Sequence, residues 1–228
     1  RASWHAMATP EEPLQVDTSK GPVSAVYSRP RSPFATIVIA HGAGAGMDHP
    51  FLVGFARACQ EEGLATMRFN FPYIEAGRRS PDTEGVLRDA WRAAFEAASA
   101  RRKAEPVWVS GKSLGGRIAS MAAADGQIDP AGLVFLGYPL HPPGKPERIR
   151  DEHLYRVDAP MLFLQGTSDP FASPELLRGV VGKLGARATL VPFEGGGHSF
   201  EVRGRKRDPR EVGASLAPHA AAFIKDHG

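Results

Sequence analysis

The sequence predicts an α/β fold built on a doubly wound, mostly parallel sheet with helices on both faces. Short apolar runs rich in β-branched residues recur along the chain, and most are followed by a loop and a helical pattern. These runs are continuously apolar rather than alternating, which is typical of parallel strands buried on both faces. The chain has 228 residues, 42% of them hydrophobic, which is enough to bury a sizeable core.

Six apolar runs are the predicted strands of this sheet. They cover residues 35–40, 64–71, 107–110, 133–136, 161–165 and 188–193. The crossovers between parallel strands are expected to be right-handed. The first thirty residues, with extended stretches at 14–16 and 23–27, predict an antiparallel hairpin that opens the fold.

Five helical patterns accompany the strands. They cover residues 49–62, 83–103, 114–124, 174–184 and 212–227. The first helix carries an apolar stripe that includes Cys59, and Gly63 follows it as a C-cap. Strands alternating with helices in this way favour the doubly wound sheet.

One stretch interrupts the alternation of strands and helices. Residues 140–158 are polar and rich in proline, and they predict a surface excursion that forms a minimal lid. No linker divides the chain, so residues 7–228 are expected to form one domain. Residues 1–6 precede Met7 and are interpreted as a cloning remnant.

Composition excludes several classes of protein. The formal net charge is only +3 and basic residues are scattered among acidic ones, so a nucleic-acid binder is not expected. No apolar run is long enough to cross a bilayer and no stretch reads as a signal peptide, so membrane association is not expected. The single cysteine, Cys59, argues against a disulfide framework and fits a cytoplasmic location. No His or Cys spacing indicates a metal, and no cofactor is expected.

A nucleophile motif follows the third predicted strand of the sheet. Residues 111–115 read GKSLG, which matches G-x-S-x-G between a strand and a helix. The serine of this motif sits on a strained turn that lifts its hydroxyl above the sheet, and the flanking glycines leave room for that turn. Ser113 is therefore the predicted nucleophile.

Two partners for this serine follow in chain order. Asp169 comes just after the predicted strand 161–165, and His198 comes after the predicted strand 188–193. The carboxyl ends of parallel strands meet at one edge of a sheet, so these three residues can converge there. The order Ser, Asp, His predicts a catalytic triad in which His198 is the base and Asp169 holds its tautomer.

A glycine-rich turn, HGAGAG at residues 41–46, follows the first strand of the parallel sheet. Such a turn can direct a backbone N–H group at the position above the serine. The predicted oxyanion hole is formed by the N–H groups of Ala43 and Leu114. His41 is interpreted as a hydrogen-bonding residue of this loop rather than as a second base.

Five further residues are predicted to contact a small acyl substrate. Tyr73, Tyr138 and Phe171 lie just past strand ends and are expected to line a pocket, although core packing explains such aromatics nearly as well. Arg78 and Arg79 follow a strand end in a loop, where a solvated loop is the competing interpretation. As substrate residues, they would anchor a carboxylate or phosphate.

The sequence as a whole resembles the α/β-hydrolase superfamily over nearly all of residues 14–228. Within it, residues 68–82 (RFNFPYIEAGRRSPD) and 111–117 (GKSLGGR) resemble a dienelactone-hydrolase-like branch related to testis-expressed protein thirty. This resemblance implies the α/β-hydrolase fold and a serine hydrolase acting on ester bonds, carboxylesterase-like or a thioesterase. Dienelactone hydrolases proper use a cysteine nucleophile where this chain has Ser113, so dienelactone chemistry itself is not implied.

Two alternatives to a hydrolase come from other classes of protein. Some relatives in the resembling branch are subunits of larger assemblies, so a non-catalytic interaction module is one alternative. A nucleotide-binding domain is the other, but Pro106 replaces the first glycine of a P-loop and Met47 replaces the third glycine of a dinucleotide fingerprint. The physiological substrate and the oligomeric state do not follow from the sequence.

Overall fold

The computed structural model describes residues 8–228, and its centre is one eight-stranded, mostly parallel sheet. The strands are β1 (Glu11–Thr18), β2 (Gly21–Ser28), β3 (Ala35–Ala40), β4 (Leu64–Phe69), β5 (Val107–Lys112), β6 (Leu133–Leu136), β7 (Met161–Gly166) and β8 (Ala188–Phe193). The sequence predictions of a mostly parallel sheet and of an opening hairpin are confirmed. The interpretation of residues 1–6 as a cloning remnant lies outside the described residues.

The order of the strands brings several loops to one edge of the sheet. The order is β1-β2-β4-β3-β5-β6-β7-β8. Pairs β1–β2 and β2–β4 are antiparallel, and every pair from β4 to β8 is parallel. The next two strands along the chain lie on opposite sides of β3, with β4 on one side and β5 on the other. A crevice opens at such a switch point, beyond the carboxyl ends of the strands.

Helices cover both faces of the sheet. They are α1 (Pro50–Glu61), α2 (Pro72–Glu75), α3 (Glu84–Arg101), α4 (Leu114–Ala124), α5 (Pro174–Leu184), α6 (Pro209–Ala214) and α7 (Ala217–Asp226), with short 3₁₀ turns at Glu152–Arg156 and Gly185–Arg187. The predicted helix 212–227 is two helices, α6 and α7. Pro218 has no N–H to donate, so a continuous helix would lose a hydrogen bond there. The one-turn helix α2 was not predicted.

The alternation of side chains along β3 divides the core into two layers. Val38 and Ala40 belong to the layer that includes residues of α3, α4 and α5, whereas Ile37 and Ile39 belong to the layer that includes residues of α1, α6 and α7. All four side chains are fully buried, as expected for a strand with helices on both sides. Cys59 of α1 lies in the second layer, where burial raises the pKa of its thiol.

The excursion predicted at 140–158 lies against α4. Leu154, in its 3₁₀ turn, is fully buried, and His153 Nε2 lies 2.7 Å from Ser120 Oγ of α4. The Arg150 carbonyl accepts a 2.7 Å hydrogen bond from the Tyr138 hydroxyl. These contacts fasten the segment to the wall of the crevice, to which it contributes Arg150. The prediction of a minimal lid at 140–158 is therefore wrong, because the segment is packed against α4 as part of the wall. Across the described part of the chain, no helix is both long and apolar enough to cross a membrane.

Candidate active site

Ser113 occupies a strained turn between β5 and α4. Its backbone φ is 49° and its ψ is −116°, a left-handed conformation that costs about 1–3 kcal/mol for a residue other than glycine. The neighbouring glycines are sterically required. A Cβ on Gly111 would lie 2.2 Å from Gly116 N, and one on Gly115 would lie 2.5 Å from the His41 carbonyl oxygen. The turn therefore holds the serine hydroxyl at the carboxyl edge of the sheet.

A chain of hydrogen bonds joins Ser113 to two loops at the same edge. His198 Nε2 lies 2.8 Å from Ser113 Oγ, and His198 Nδ1 lies 2.8 Å from Asp169 Oδ2. If Nδ1 donates to the carboxylate, Nε2 carries the lone pair that can accept the serine proton. The structure thus brings together the three residues that the sequence singled out as nucleophile, base and acid.

The carboxylate of Asp169 is fully buried and fully engaged. Besides the histidine, Oδ2 accepts a 2.7 Å hydrogen bond from Gln165 Nε2, and Oδ1 accepts a 2.8 Å hydrogen bond from the Phe171 backbone N–H. These contacts satisfy both carboxylate oxygens and fix the orientation of the group. The Phe171 ring stacks on the imidazole of His198, with ring centroids 4.1 Å apart. Phe171 also lines the cavity, as predicted for a substrate contact.

The glycine-rich loop after β3 lies against the serine turn. A Cβ on Gly42 would lie 3.8 Å from Ser113 Cβ. Among the described residues, the N–H groups of Ala43 and Leu114 donate no hydrogen bond. Both residues line the cavity. An oxyanion hole requires backbone N–H groups without partners near the serine hydroxyl, so these two amides stay the candidates for it.

His41 anchors this loop from beneath. Its Nδ1 donates to the Gly42 carbonyl at 2.7 Å, and its Nε2 accepts from the Phe71 N–H at 3.0 Å. Both nitrogens are satisfied only in the neutral form, in which one of them has no proton. Burial lowers the pKa of His41 to about 4, partly offset by the hydrogen bond to Gly42. His41 is thus a neutral structural residue of the loop.

Four residues predicted to contact substrate do not line the cavity. The Tyr73 side chain is buried and donates a 3.0 Å hydrogen bond to the Ala43 carbonyl, so it supports the glycine-rich loop. Tyr138 is buried beneath the excursion, where it donates to Arg150. Arg78 pairs with Asp82 at 2.8 Å on the surface, and Arg79 is exposed. A position just after a strand predicts that the residue lies at the edge of the sheet, but it does not predict the direction of its side chain.

The cavity above the serine has a volume of about 570 Å³, a size suited to a small organic molecule. Its wall includes three basic residues, Lys112, Arg117 and Arg150, and no Asp or Glu among the described residues. None of the three was predicted from the sequence to belong to the site. The sequence does carry one signal for Arg117, because it lies one helical turn after Ser113, the residue that precedes α4, and so on the side of the helix nearest the serine.

Lys112 lies close to the acidic end of the hydrogen-bond chain. A Cβ on Gly137 would lie 3.6 Å from Lys112 Nζ and 3.7 Å from Asp169 Oδ2. Burial lowers the pKa of Lys112 to about 8, although the charges of Asp169 and Glu201 act in the opposite direction. The ammonium group forms no hydrogen bond or ion pair within residues 8–228.

Comparison with known proteins agrees with this architecture. Residues 33–225 match the family model described as alpha/beta hydrolase domain. An α/β serine hydrolase without lid from Xanthomonas campestris has a TM-score of 0.74 at 23% identity, over 94% of this chain and 95% of that one. Dienelactone hydrolase from Anabaena variabilis has a TM-score of 0.74 at 20% identity, over 96% and 98%.

A third structural neighbour is the esterase domain of a Rhodothermus marinus protein. It has a TM-score of 0.72 at 15% identity and covers 96% of this chain and 100% of its own. At such identities, the three neighbours show that the fold is shared, and fold alone does not define an activity. Within residues 8–228, no cluster of three or more His, Cys, Asp or Glu side chains is placed to hold a metal ion.

Proposed function

Because the chain belongs to the alpha/beta hydrolase domain family, we propose that it is a serine hydrolase that cleaves an ester of a small acyl group. One observation carries this proposal. Ser113 Oγ, the His198 ring and the Asp169 carboxylate form a continuous hydrogen-bond chain with both links at 2.8 Å. The same arrangement of roles recurs in serine hydrolases of unrelated folds.

The reaction proceeds in two halves. In the first, Ser113 Oγ attacks the acyl carbon while His198 Nε2 takes the hydroxyl proton, and a tetrahedral oxyanion forms. The N–H groups of Ala43 and Leu114 stabilise that oxyanion. His198 then gives the proton to the leaving alcohol, and the acyl group stays on Ser113. Asp169 orients the imidazole and stabilises its protonated form.

In the second half, water replaces the alcohol. His198 removes a proton from the water as it attacks the acyl-serine, a second oxyanion forms in the same hole, and collapse releases the acid and restores the Ser113 hydroxyl. No metal or cofactor takes part in this scheme. The same steps cleave a thioester, which makes thioesters the second substrate class. We also propose that this chain is related to the branch of testis-expressed protein thirty, as the motifs at residues 68–82 and 111–117 indicate.

The test is hydrolysis of 4-nitrophenyl acetate and butanoate by wild type, by Ser113→Ala and by Ser80→Ala. We expect wild type and Ser80→Ala, which changes an exposed loop serine, to turn over both esters. Loss of the nucleophile should lower kcat by about 10³-fold or more. Far-ultraviolet circular dichroism checks that the variants are folded. Turnover by Ser113→Ala at the wild-type rate would refute the assignment, and no turnover by wild type would favour the non-catalytic interaction module.

A further inference from the structure

We propose that the cavity selects esters that carry a second, oxyanionic group, a carboxylate or a phosphate, and that Arg117 and Arg150 bind this group. This inference rests on the proposed function, because it names the substrate class of the same site. It differs from the anchor expected from the sequence, since Arg78 and Arg79 lie outside the cavity.

Arg117 is directed to the cavity by its place on α4. Its backbone N–H donates to the Ser113 carbonyl at 3.1 Å, so it lies one helical turn beyond the serine. Side chains on a helix lean towards its N-terminus, and this direction leads from Arg117 back to the serine. One Nη of Arg117 pairs with Glu84 at 3.1 Å, while its Nε is buried with no hydrogen-bond partner among the described residues.

Arg150 reaches the same wall from the excursion. Its N–H donates to the Leu140 carbonyl at 2.7 Å, and its own carbonyl accepts from the Tyr138 hydroxyl. The backbone is therefore fixed on both sides. Arg150 lines the cavity, and its guanidinium forms no hydrogen bond or ion pair with any residue from 8 to 228.

Hydrogen bonds also join the two backbone segments that carry these arginines. Ser120 Oγ donates to the Arg117 carbonyl at 2.7 Å and lies 2.7 Å from His153 Nε2, three residues after Arg150. The two guanidinium groups repel one another. Burial, followed by the charge of Arg117, lowers the pKa of Arg150. Two neighbouring, partly buried cations with unused donors are unfavourable until an anion lies between them.

The charge balance of the cavity favours the same ligand. Lys112, Arg117 and Arg150 line it, and the partner carboxylate of Arg117, Glu84, is half exposed and outside the lining. Each guanidinium offers a planar fork that matches two oxygens of a carboxylate or phosphate. The cavity therefore has the oxyanion hole at one place and donors for a second anion at another.

The test is binding of three matched ligands to Ser113→Ala, measured by isothermal titration calorimetry. Methyl hydrogen glutarate carries a carboxylate, methyl 4-phosphonobutanoate carries a phosphonate, and methyl pentanoate is neutral. We expect at least one anionic ligand to bind about tenfold or more tightly than the neutral ester. The comparison of the two anions distinguishes a carboxylate from a phosphate substrate.

Arg150→Gln and Arg117→Gln, each in the Ser113→Ala background, should weaken binding of the favoured anion by about tenfold. The matched control Arg78→Gln removes an exposed arginine outside the cavity and should leave the Kd unchanged. Equal affinity for all three ligands, or anion binding that survives in both cavity variants, would overturn the proposal. Because binding requires no turnover, this result is separate from the proposed function, which is tested by ester turnover in wild type and in Ser113→Ala.

Discussion

Two regions of one cavity differ in how their polar groups are satisfied. At the edge formed by Ser113, His198 and Asp169, every functional side chain has a hydrogen-bond partner within the protein. The lining also includes Lys112, Arg117 and Arg150, and neither the Lys112 ammonium nor the Arg150 guanidinium has a hydrogen-bond or ion-pair partner within residues 8–228. Under the proposed function, the first region is preorganised for a proton transfer that is the same for any ester. The second leaves its donors to the ligand, which is where selectivity can arise.

Asp169→Asn should produce the largest change, because it breaks the hydrogen-bonded edge. An amide can donate its N–H to His198 Nδ1, which would favour the tautomer that cannot accept the serine proton at Nε2. We expect kcat for 4-nitrophenyl butanoate to fall by about 10³- to 10⁴-fold. Steady-state kinetics at pH 7 measures the fall, with Asp158→Asn as a matched control on the exposed surface. A fall of less than tenfold would contradict the function assigned to Asp169.

His41 belongs to the same satisfied region and should make the protein sensitive to acid. Burial lowers its pKa from 6.5 to about 4, so the unfolded state binds more protons between these values. The contribution of neutral His41 to the free energy of unfolding is therefore fully present above about pH 6.5. It is lost progressively as the pH falls towards 4, and the loss amounts to about 3 kcal/mol. Burial also lowers the pKa of His153 to about 4, so His153 adds to the same loss of stability as the pH falls.

Urea unfolding at pH 7 and pH 5 measures this dependence. His41→Asn should lose part of the difference between the two pH values, because asparagine does not titrate. His219→Asn, which changes an exposed histidine, is the matched control and should keep the wild-type difference. An unchanged pH dependence in His41→Asn would show that the buried imidazole is not the source.

Lys112 should make the cationic wall sensitive to alkaline pH, with a smaller effect. Burial lowers its pKa to about 8, so the wall carries this charge below pH 8 and loses it above. The Kd of Ser113→Ala for methyl hydrogen glutarate should therefore rise by about fivefold between pH 7 and pH 9.5. In a Lys112→Met background this step should disappear. A Kd that is flat across this range in the lysine-containing protein would exclude the ammonium from the wall.

Local patterns in the sequence were enough to predict the sheet and the three residues that the hydrogen-bond chain joins at its edge. A strand, a strained turn and a helix are encoded within about ten residues around Ser113, and the order of Asp169 and His198 follows the order of the strands. The cationic wall depends on contacts between distant segments. Arg150 reaches the cavity because Tyr138 and Ser120 hold its segment against α4. Such a contact between distant segments cannot be predicted from the periodicity of the sequence.

The same limit explains the aromatic residues. Tyr73 and Tyr138 follow strand ends, as predicted, but their hydroxyls bond to carbonyl groups of Ala43 and Arg150. Phe171 has no hydroxyl and stacks on His198 instead. The break between α6 and α7 was readable from Pro218, whereas the direction of each side chain at the sheet edge required the folded structure.

The most direct test of the account is intact-mass labelling with a small fluorophosphonate, which reacts with an activated serine. We predict a single adduct on wild type that is absent from Ser113→Ala and His198→Ala. The adduct should be retained in Ser199→Ala, which removes another serine of the same cavity. No adduct on wild type, or an adduct that survives in Ser113→Ala, would contradict the claim that the hydrogen-bond chain through His198 activates Ser113.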